Sequence, residues 1–249
     1  EAEGLRRYCH VGTGNYNSRT ARVYEDLGLL TCDPAIGADL TQLFNELTGY
    51  GRNIDYQRLL VAPRLLRDGL NDLIQGEIDA GAGHGRITMK MNSLVDAGMI
   101  DELYRASQAG VEIDLIVRGI CCLTPGVPGM SETIRVRSLV GRYLEHSRIF
   151  RFANGDGAAQ PLPLIGSADL MPRNLDRRVE VLTPVLDPDL QARLDEVLDI
   201  ELRDDVLAWT LDPDGRWSRA PEGGEVDSQI GLQRLTIDRA ARAITATVV

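Results

Sequence analysis

The sequence contains almost no lysine, because Lys90 is the only one among its 27 lysine and arginine residues. Such an arginine excess is typical of a GC-rich genome, so only arginines that cluster near other site residues indicate function. The three histidines and four cysteines are also few, and no cysteine pair has the Cys-x-x-Cys spacing of a zinc site. The adjacent Cys121 and Cys122 are therefore predicted to be small, buried apolar residues in a reducing compartment.

Long apolar stretches are missing too. No run reaches 18 apolar residues and no signal peptide is visible, so no transmembrane segment is predicted. The sequence does not begin with methionine, and residues 1–7 are typical of a turn that enters a strand. We therefore expect it to be a piece of a longer protein.

Positive charge is scarce relative to negative charge, with a formal net charge of −10. Such a chain repels polyanions at long range, which argues against a general nucleic-acid or membrane-surface binder. A site for a phosphate-bearing ligand would have to be a local pocket of arginines, whose planar forks match phosphate oxygens.

The chain divides into a short first part and a longer α/β part. Residues 36–47 carry apolar residues at helical spacing, and the glycine-containing stretch 48–53 ends this helix. We therefore predict two domains, 1–53 and 54–249. The elements predicted next are a strand at 59–62, a helix at 63–80, a strand at 86–91, a helix at 94–108 and a strand at 111–117.

This alternation predicts a mixed, largely parallel sheet flanked by helices, with right-handed crossovers. Ligands of such sheets bind beyond the carboxyl ends of strands, where Arg118 stands. The second half is richer in strands. They are predicted at 134–139, 148–152, 162–167 and 178–186, before a helix at 188–203.

The most informative polar segment is Tyr143-Leu-Glu-His146-Ser-Arg148. His146 is predicted at the start of a strand, so Arg148 points to the same face. An imidazole beside a fixed cation suits phosphate chemistry, because the ring can attack phosphorus or protonate a leaving oxygen. A lone histidine is more often a structural hydrogen-bonding residue, so the prediction depends on its context.

That context is a polar stretch about twenty residues further on. Gly166-Ser167 ends a predicted strand and could offer backbone N–H groups and a hydroxyl to an anion. Arg173, Asn174 and Arg177 follow closely, and the two arginines are candidate phosphate ligands. The alternative for Arg177 is an ordinary ion pair with Glu180 on a strand face.

Other candidates carry weaker signals. Lys90 and Asn92 alternate on one strand face, where they could bind phosphate, or Lys90 could simply reach solvent. His84 lies in a glycine-rich loop and is expected to be inert. Neither glycine-rich phosphate-binding motif is present, and no acidic cluster has metal-ligand spacing, so no metal ligands are predicted.

The order of His146, Arg148 and Gly166-Ser167 resembles the phospholipase D superfamily, with arginine in place of its His-x-Lys lysine. More specifically, the chain resembles polyphosphate kinase of the first type. The segments that carry this resemblance are 8–17, Thr20-Ala-Arg-Val-Tyr24, Asp26-Leu-Gly-Leu29, Lys90-Met-Asn-Ser-Leu94, Val117-Arg-Gly-Ile120, Tyr143-Leu-Glu-His-Ser-Arg148 and 167–180.

The resemblance implies reversible transfer of the ATP terminal phosphate to inorganic polyphosphate, with Mg²⁺ carried mainly by ATP. It implies nucleotide contacts at Tyr24, Arg118 and His146. Arg148, from its place on the same face as His146, is predicted as a further phosphate ligand. Unaided, Tyr24 would be assigned to the apolar face of a helix. The implied partners are ATP or ADP and polyphosphate, without nucleic acid, in a cytoplasmic or peripherally membrane-associated homo-oligomer.

The resemblance also implies that residues 1–53 end one phospholipase D-like domain and that residues 54–249 form a second. The family's phosphohistidine lies in a Thr-His-x-Lys segment, which this sequence lacks and which would precede residue 1. His10 is a strand residue in this comparison and not the nucleophile. The fragment alone is therefore expected to be inactive.

Two other functions compete with this one. A phospholipase D-like phosphodiesterase or nuclease would use His146, but it needs a second His-x-Lys element that the chain does not contain. An assembly module would use the acidic helix near residues 187–205 for subunit contacts, although such helices more often face solvent.

Overall fold

The computed structural model describes residues 6–50, 55–157 and 159–247. The strands are β1 Cys9–Gly12, β2 Tyr24–Glu25, β3 Gly28–Thr31, β4 Leu60–Val61, β5 Arg86–Met91, β6 Glu112–Val117, β7 Ile134–Leu139, β8 Leu144–Glu145, β9 Ile149–Phe152, β10 Leu162–Gly166, β11 Val181–Pro184, β12 Ala208–Leu211 and β13 Trp217–Arg219. The helices are α1 Pro34–Leu47, α2 Leu66–Ala80, α3 Ala97–Gln108, α4 Pro172–Asp176, α5 Pro188–Arg203 and α6 Ser228–Thr247.

Nine of the described strands form one mixed sheet in the order β13-β12-β7-β6-β5-β9-β10-β11-β4. In this sheet only β5–β6 and β6–β7 pair in parallel, and the other neighbours are antiparallel. The prediction of a largely parallel sheet is therefore wrong. Parallel neighbours need a long crossover, whereas β9 and β10 follow each other without a helix and pair antiparallel.

Both faces of the sheet are covered. Helices α2 and α3 pack on one face together with Leu115 and Val117 of β6. Ile116, between them, points to the other face and joins the cluster that contains Leu194 and Leu198 of α5. Since successive strand residues alternate between faces, Lys90 of β5, between two methionines of the first cluster, points toward α5.

Helix boundaries follow the capping residues. Helix α5 begins where predicted, because the Asp187 carboxylate accepts hydrogen bonds from the N–H groups of Asp189 and Leu190. Helix α3 begins at Ala97 and not at residue 94, because Asp96 is its N-cap. Helix α2 begins at Leu66, after a turn at 62–65 that contains Pro63, so the predicted start at Pro63 is wrong.

The first part of the chain contacts the second closely. Strands β1 and β3 pair with each other, while β2 pairs in parallel with β8 from the second part. The Asp39 carboxylate of α1 accepts the backbone N–H groups of Gln57, Arg58 and Leu59. The predicted boundary between residues 53 and 54 lies outside the described residues.

Two further findings concern the surface. Cys122 is exposed and Cys121 only half-buried, so the prediction that both are buried is wrong; all four cysteines are free thiols. Among the described helices, none combines the length and apolar character that crossing a membrane requires.

Candidate functional site

The site lies where β5 and β6 end and β9 begins. Strand β9 runs antiparallel to β5, and its first residue, Ile149, is opposite Lys90. Arg148 and His146, just before β9, are therefore at the same sheet edge as Asn92 and Arg118, just after β5 and β6. His146 itself lies between β8 and β9 and not at the start of a strand.

The imidazole of His146 is held by a carboxylate and an aromatic ring. Its Nδ1 lies 2.9 Å from Asp26 Oδ1, and Thr13 donates its hydroxyl to the same oxygen at 2.8 Å. The Tyr24 ring is tilted against the imidazole with the ring centroids 4.5 Å apart. In a neutral ring the Asp26 carboxylate accepts the Nδ1 proton, which leaves the lone pair on Nε2.

Arg148 is a buried cation beside this ring, only 5% exposed. Its Nε and Nη2 donate to the two oxygens of Asp169, at 3.3 and 3.0 Å. Its Nη1 donates to the backbone oxygens of His146 at 2.7 Å and Thr13 at 3.1 Å, and lies 3.0 Å from His146 Nε2 and 3.1 Å from His146 Nδ1. The guanidinium thereby places a fixed positive charge against the imidazole, almost equally close to its two ring nitrogens.

Asp169 links this pair to Arg118. Its Oδ1 accepts the backbone N–H groups of Asn92 at 2.7 Å and Ser93 at 3.2 Å. The Asn92 side-chain oxygen in turn accepts a hydrogen bond from Arg118 Nε at 2.6 Å. A continuous series of contacts therefore connects Arg118 to His146 through Asn92, Asp169 and Arg148.

The structure thus brings together four of the six predicted site residues: Tyr24, Arg118, His146 and Arg148. Tyr24 is half-buried on strand β2, so its assignment to a helix face is wrong. Arg173 and Arg177 are exposed at the two ends of α4, and within the described ranges neither forms an ion pair. No contact among the described residues joins these two arginines to His146.

The polar groups around Ser167 are already paired. The Ser167 hydroxyl bonds the Glu180 carboxylate, and its backbone N–H donates to Val181 O at 3.1 Å. Asn174 donates to Glu180 at 2.6 Å. Ser167 thus has neither donor free for an anion, contrary to prediction, and Arg178 rather than Arg177 lies near Glu180, at 3.8 Å.

Lys90 is buried and cannot reach phosphate or solvent, so both readings of this residue are wrong. Its ammonium lies among the carboxylates of Glu25 at 3.0 Å, Glu145 at 2.6 Å and Glu201. Sequence reasoning missed these glutamates, as it missed Asp26 and Asp169. The available signal was a lysine between two methionines in an apolar strand, because a buried lysine requires counter-charges.

The pKa values of this cluster reflect burial opposed by charge. Burial acts to lower the Lys90 pKa, but the three carboxylates hold it well above its ordinary value. Burial raises the pKa of Glu201 to about 8 despite the nearby Lys90 charge. Burial acts in the same sense on Glu25, but the Lys90 charge and the Ser147 hydroxyl keep that pKa below its ordinary value.

No hydrogen bond or ion pair among the described residues joins the other two histidines to His146, Arg148 or Arg118. His10 lies on β1, as predicted, and its Nε2 is 2.8 Å from the Tyr16 hydroxyl. His84 is exposed in the loop between α2 and β5.

Comparisons with known proteins cover nearly the whole chain. Residues 59–229 match the family described as polyphosphate kinase C-terminal domain 2, and residues 1–53 match polyphosphate kinase C-terminal domain 1. A polyphosphate kinase from Mycobacterium avium (strain 104) is 56% identical over 236 residues, which are 93% of this chain and 32% of that protein. The chain therefore spans about a third of the length of such curated relatives.

A solved structure of a polyphosphate kinase agrees with this family match. The crystal structure of polyphosphate kinase from Porphyromonas gingivalis matches with a TM-score of 0.87 and 39% identity, over 94% of this chain and 36% of that one. Nuc from Salmonella typhimurium, a phospholipase D family member, matches more loosely, with a TM-score of 0.43 and 13% identity over 65% of this chain and 97% of that one. On the family match and these identities, the chain belongs to the polyphosphate kinase family.

Proposed function

We propose that the chain is the C-terminal catalytic region of a polyphosphate kinase that transfers the terminal phosphate of ATP reversibly to inorganic polyphosphate. The observation that carries this proposal is the position of His146, with its Nδ1 on the Asp26 carboxylate and its ring against the Arg148 guanidinium. An imidazole so oriented suits proton transfer to and from phosphate oxygens, and the nearby cation offsets their charge.

Each predicted site residue has a role in this proposal. His146 Nε2 handles the proton of the leaving or attacking phosphate oxygen. Arg118 and Arg148 stabilise negative charge as the phosphoryl group moves, and the Tyr24 hydroxyl donates to a phosphate oxygen. The exposed Arg173 and Arg177 bind phosphates further along the polyphosphate chain.

The covalent step takes place on a histidine outside this chain. The bond between the γ-phosphorus and the ADP oxygen breaks as a phosphorus–nitrogen bond forms on that histidine. The terminal oxygen of polyphosphate then attacks the same phosphorus, and the phosphorus–nitrogen bond breaks. Residues 1–53 would complete the phospholipase D-like domain that carries this histidine, and residues 54–249 would form the facing domain of a cytoplasmic homo-oligomer.

The described residues show no open group of three ligands for a protein-held Mg²⁺. Among the described residues, one group of three carboxylates converges, formed by Glu25, Glu145 and Glu201, and the Lys90 ammonium already lies among them. We therefore assign no step to a metal bound by this chain, and Mg²⁺ would enter with the phosphates of ATP.

The first test replaces His146 in the full-length enzyme. We expect His146→Ala to lower kcat for polyphosphate synthesis by about 10²- to 10⁴-fold, the usual contribution of a general acid or base. His84→Ala, in an exposed loop, is the matched control and should retain wild-type turnover. Near-normal turnover of His146→Ala would reduce this residue to a structural role.

The second test uses the 249-residue chain with γ-labelled ATP. We expect no acid-labile label on the chain, because the proposed nucleophile lies outside it. Stable labelling of His10 or His146 would overturn the assignment. Cleavage of a phosphodiester substrate that requires His146 would instead favour the phosphodiesterase or nuclease function.

A further inference from the structure

The buried cluster around Lys90 is distinct from the phosphate site but shares its scaffold. Lys90 is 1% exposed, and its three carboxylate partners come from three different elements. Glu25 lies on β2, Glu145 on β8 and Glu201 on α5. One ammonium therefore connects the central strand β5 to two short strands and to the helix that covers this face.

Two of the three partners are sequence neighbours of the site residues. Glu25 stands between Tyr24 and Asp26, and Glu145 directly precedes His146. Ser147, directly after His146, donates its hydroxyl to Glu25 at 2.6 Å. The residues on either side of the catalytic imidazole are thus both fixed by the cluster.

The strands that carry these residues are too short to fix the site alone. Strands β2 and β8 pair over two residues each, and His146 N donates to Glu25 O at a long 3.2 Å. So short a pair is not stable without other support. The side chains of the cluster, together with the hydrogen bond of 2.7 Å from Gln229 of α6 to Glu145, supply that support.

Stability alone does not explain such a cluster. Burying an ammonium with three carboxyl groups has a large desolvation cost, and apolar residues of similar volume are often as stable or more so. Glu201 Oε2 is buried and has no hydrogen-bond partner among the described residues, which adds to the cost. The presence of these buried charges is explained if the cluster fixes a single arrangement of strands β2, β5 and β8.

We propose that Lys90, with Glu25, Glu145 and Glu201, is a positioning cluster that holds Tyr24, Asp26 and His146 in their catalytic arrangement. The catalytic part of this inference rests on the function proposed above, whereas its geometric part concerns this chain alone. Lys90 is a positioning residue and touches no substrate.

The experiment uses Lys90→Met, which keeps much of the side-chain volume and removes the charge. In the ¹⁵N-histidine-labelled chain, we expect the ring signals of His146 to shift away from the Nδ1-protonated form as contact with Asp26 is lost. The signals of His10 and His84 should stay in place. In the full-length enzyme, kcat should fall by about 10- to 100-fold with little change in the KM for ATP, because the binding arginines remain.

Two further variants separate positioning from general destabilisation. Glu145→Gln leaves Lys90 with two carboxyl partners, Glu25 and Glu201. If Lys90→Met does not fold, this variant tests whether the cluster positions His146. Glu77→Gln is the matched control, because this fully buried carboxylate binds Arg86 N and Asn154 at the opposite end of β5. We expect Glu145→Gln to shift the His146 signals and Glu77→Gln to leave them unchanged.

Unchanged His146 signals in a folded Lys90→Met or Glu145→Gln chain would overturn the inference, as would an equal shift in Glu77→Gln. The two proposals fail separately. If the full-length enzyme makes no polyphosphate, the proposed function fails while the histidine signals still test the cluster. If His146→Ala is inactive but the cluster variants leave His146 unchanged, only the positioning role is lost.

Discussion

At the residue scale, Arg148 differs from the lysine of the phospholipase D pattern in the number of groups that it holds. Its guanidinium donates from two atoms to Asp169 and from a third to the backbone oxygens of Thr13 and His146. A lysine has one ammonium on a flexible stem and cannot reproduce this planar fork. Replacement by lysine would therefore leave part of the buried Asp169 carboxylate unpaired.

We expect Arg148→Lys to lower the free energy of unfolding by about 1–3 kcal/mol, the cost of leaving a buried polar group unsatisfied. Urea denaturation of the 249-residue chain measures this change. Arg151→Lys, in strand β9, which begins directly after Arg148, is the control, because its partner Asp195 is more exposed, and its cost should be below about 1 kcal/mol. Equal losses of stability in the two variants would show that the paired hydrogen bonds from Arg148 to Asp169 add nothing to the free energy of unfolding.

At the scale of elements, local signals predicted several boundaries, but they did not predict that most strand pairs of the sheet are antiparallel. Strand β7, strand β5 and helix α5 occur where predicted, because alternation or a capping aspartate marks them in the sequence. The two-residue strands β2 and β8 carry no such signal, since partners distant in sequence define them. The antiparallel pairing of β9 with β10 could have been predicted from the lack of a helix between these two strands.

A prediction at the scale of elements concerns the close approach of strands β10 and β11. A Cβ added at Gly166 of β10 would lie 1.8 Å from Val181 O on the neighbouring strand β11, so the two backbones must separate. We expect Gly166→Ala to cost about 3 kcal/mol or more, as in the upper range of single substitutions that strain a packed backbone. Thermal unfolding followed by circular dichroism measures the loss.

Gly76→Ala is the matched control for this substitution. Gly76 lies inside α2, and a Cβ there would meet nothing within 4 Å. Replacement by alanine should stabilise the chain by about 0.5–1 kcal/mol, because glycine is unfavourable inside helices. A Gly166→Ala chain as stable as wild type would contradict the close approach of β10 and β11.

At the scale of the whole molecule, the site depends on contacts between distant segments. His146 meets Asp26 across 120 positions, and Lys90 meets Glu201 across 111. Residue types and spacing identified His146, Arg148 and Arg118 as candidates, but they could not show which acidic residues would face them. The sequence contains 37 acidic residues, and only the fold selects those that orient the histidine or surround Lys90.

The buried Glu201 carboxyl makes the stability of the whole chain depend on pH. Its pKa rises from 4.5 when exposed to about 8 in the folded chain, chiefly through burial. Between these values the folded state keeps a proton that the unfolded state releases. The free energy of unfolding therefore falls as pH rises through this interval, by at most about 1.4 kcal/mol per pH unit from this group.

Glu201→Gln removes this dependence, because the amide stays neutral at every pH. We expect the variant to lose less stability than wild type between pH 5 and 8, and to be the more stable of the two at pH 8 and above. Urea denaturation at a series of pH values measures both slopes, and their difference isolates Glu201 from other titrating groups. Glu196→Gln on the same helix, where Glu196 pairs with Arg239 near the surface, should keep the wild-type slope. Parallel curves for wild type and Glu201→Gln would mean that Glu201 is ionised in the folded chain, with all three carboxylates of the cluster charged around Lys90.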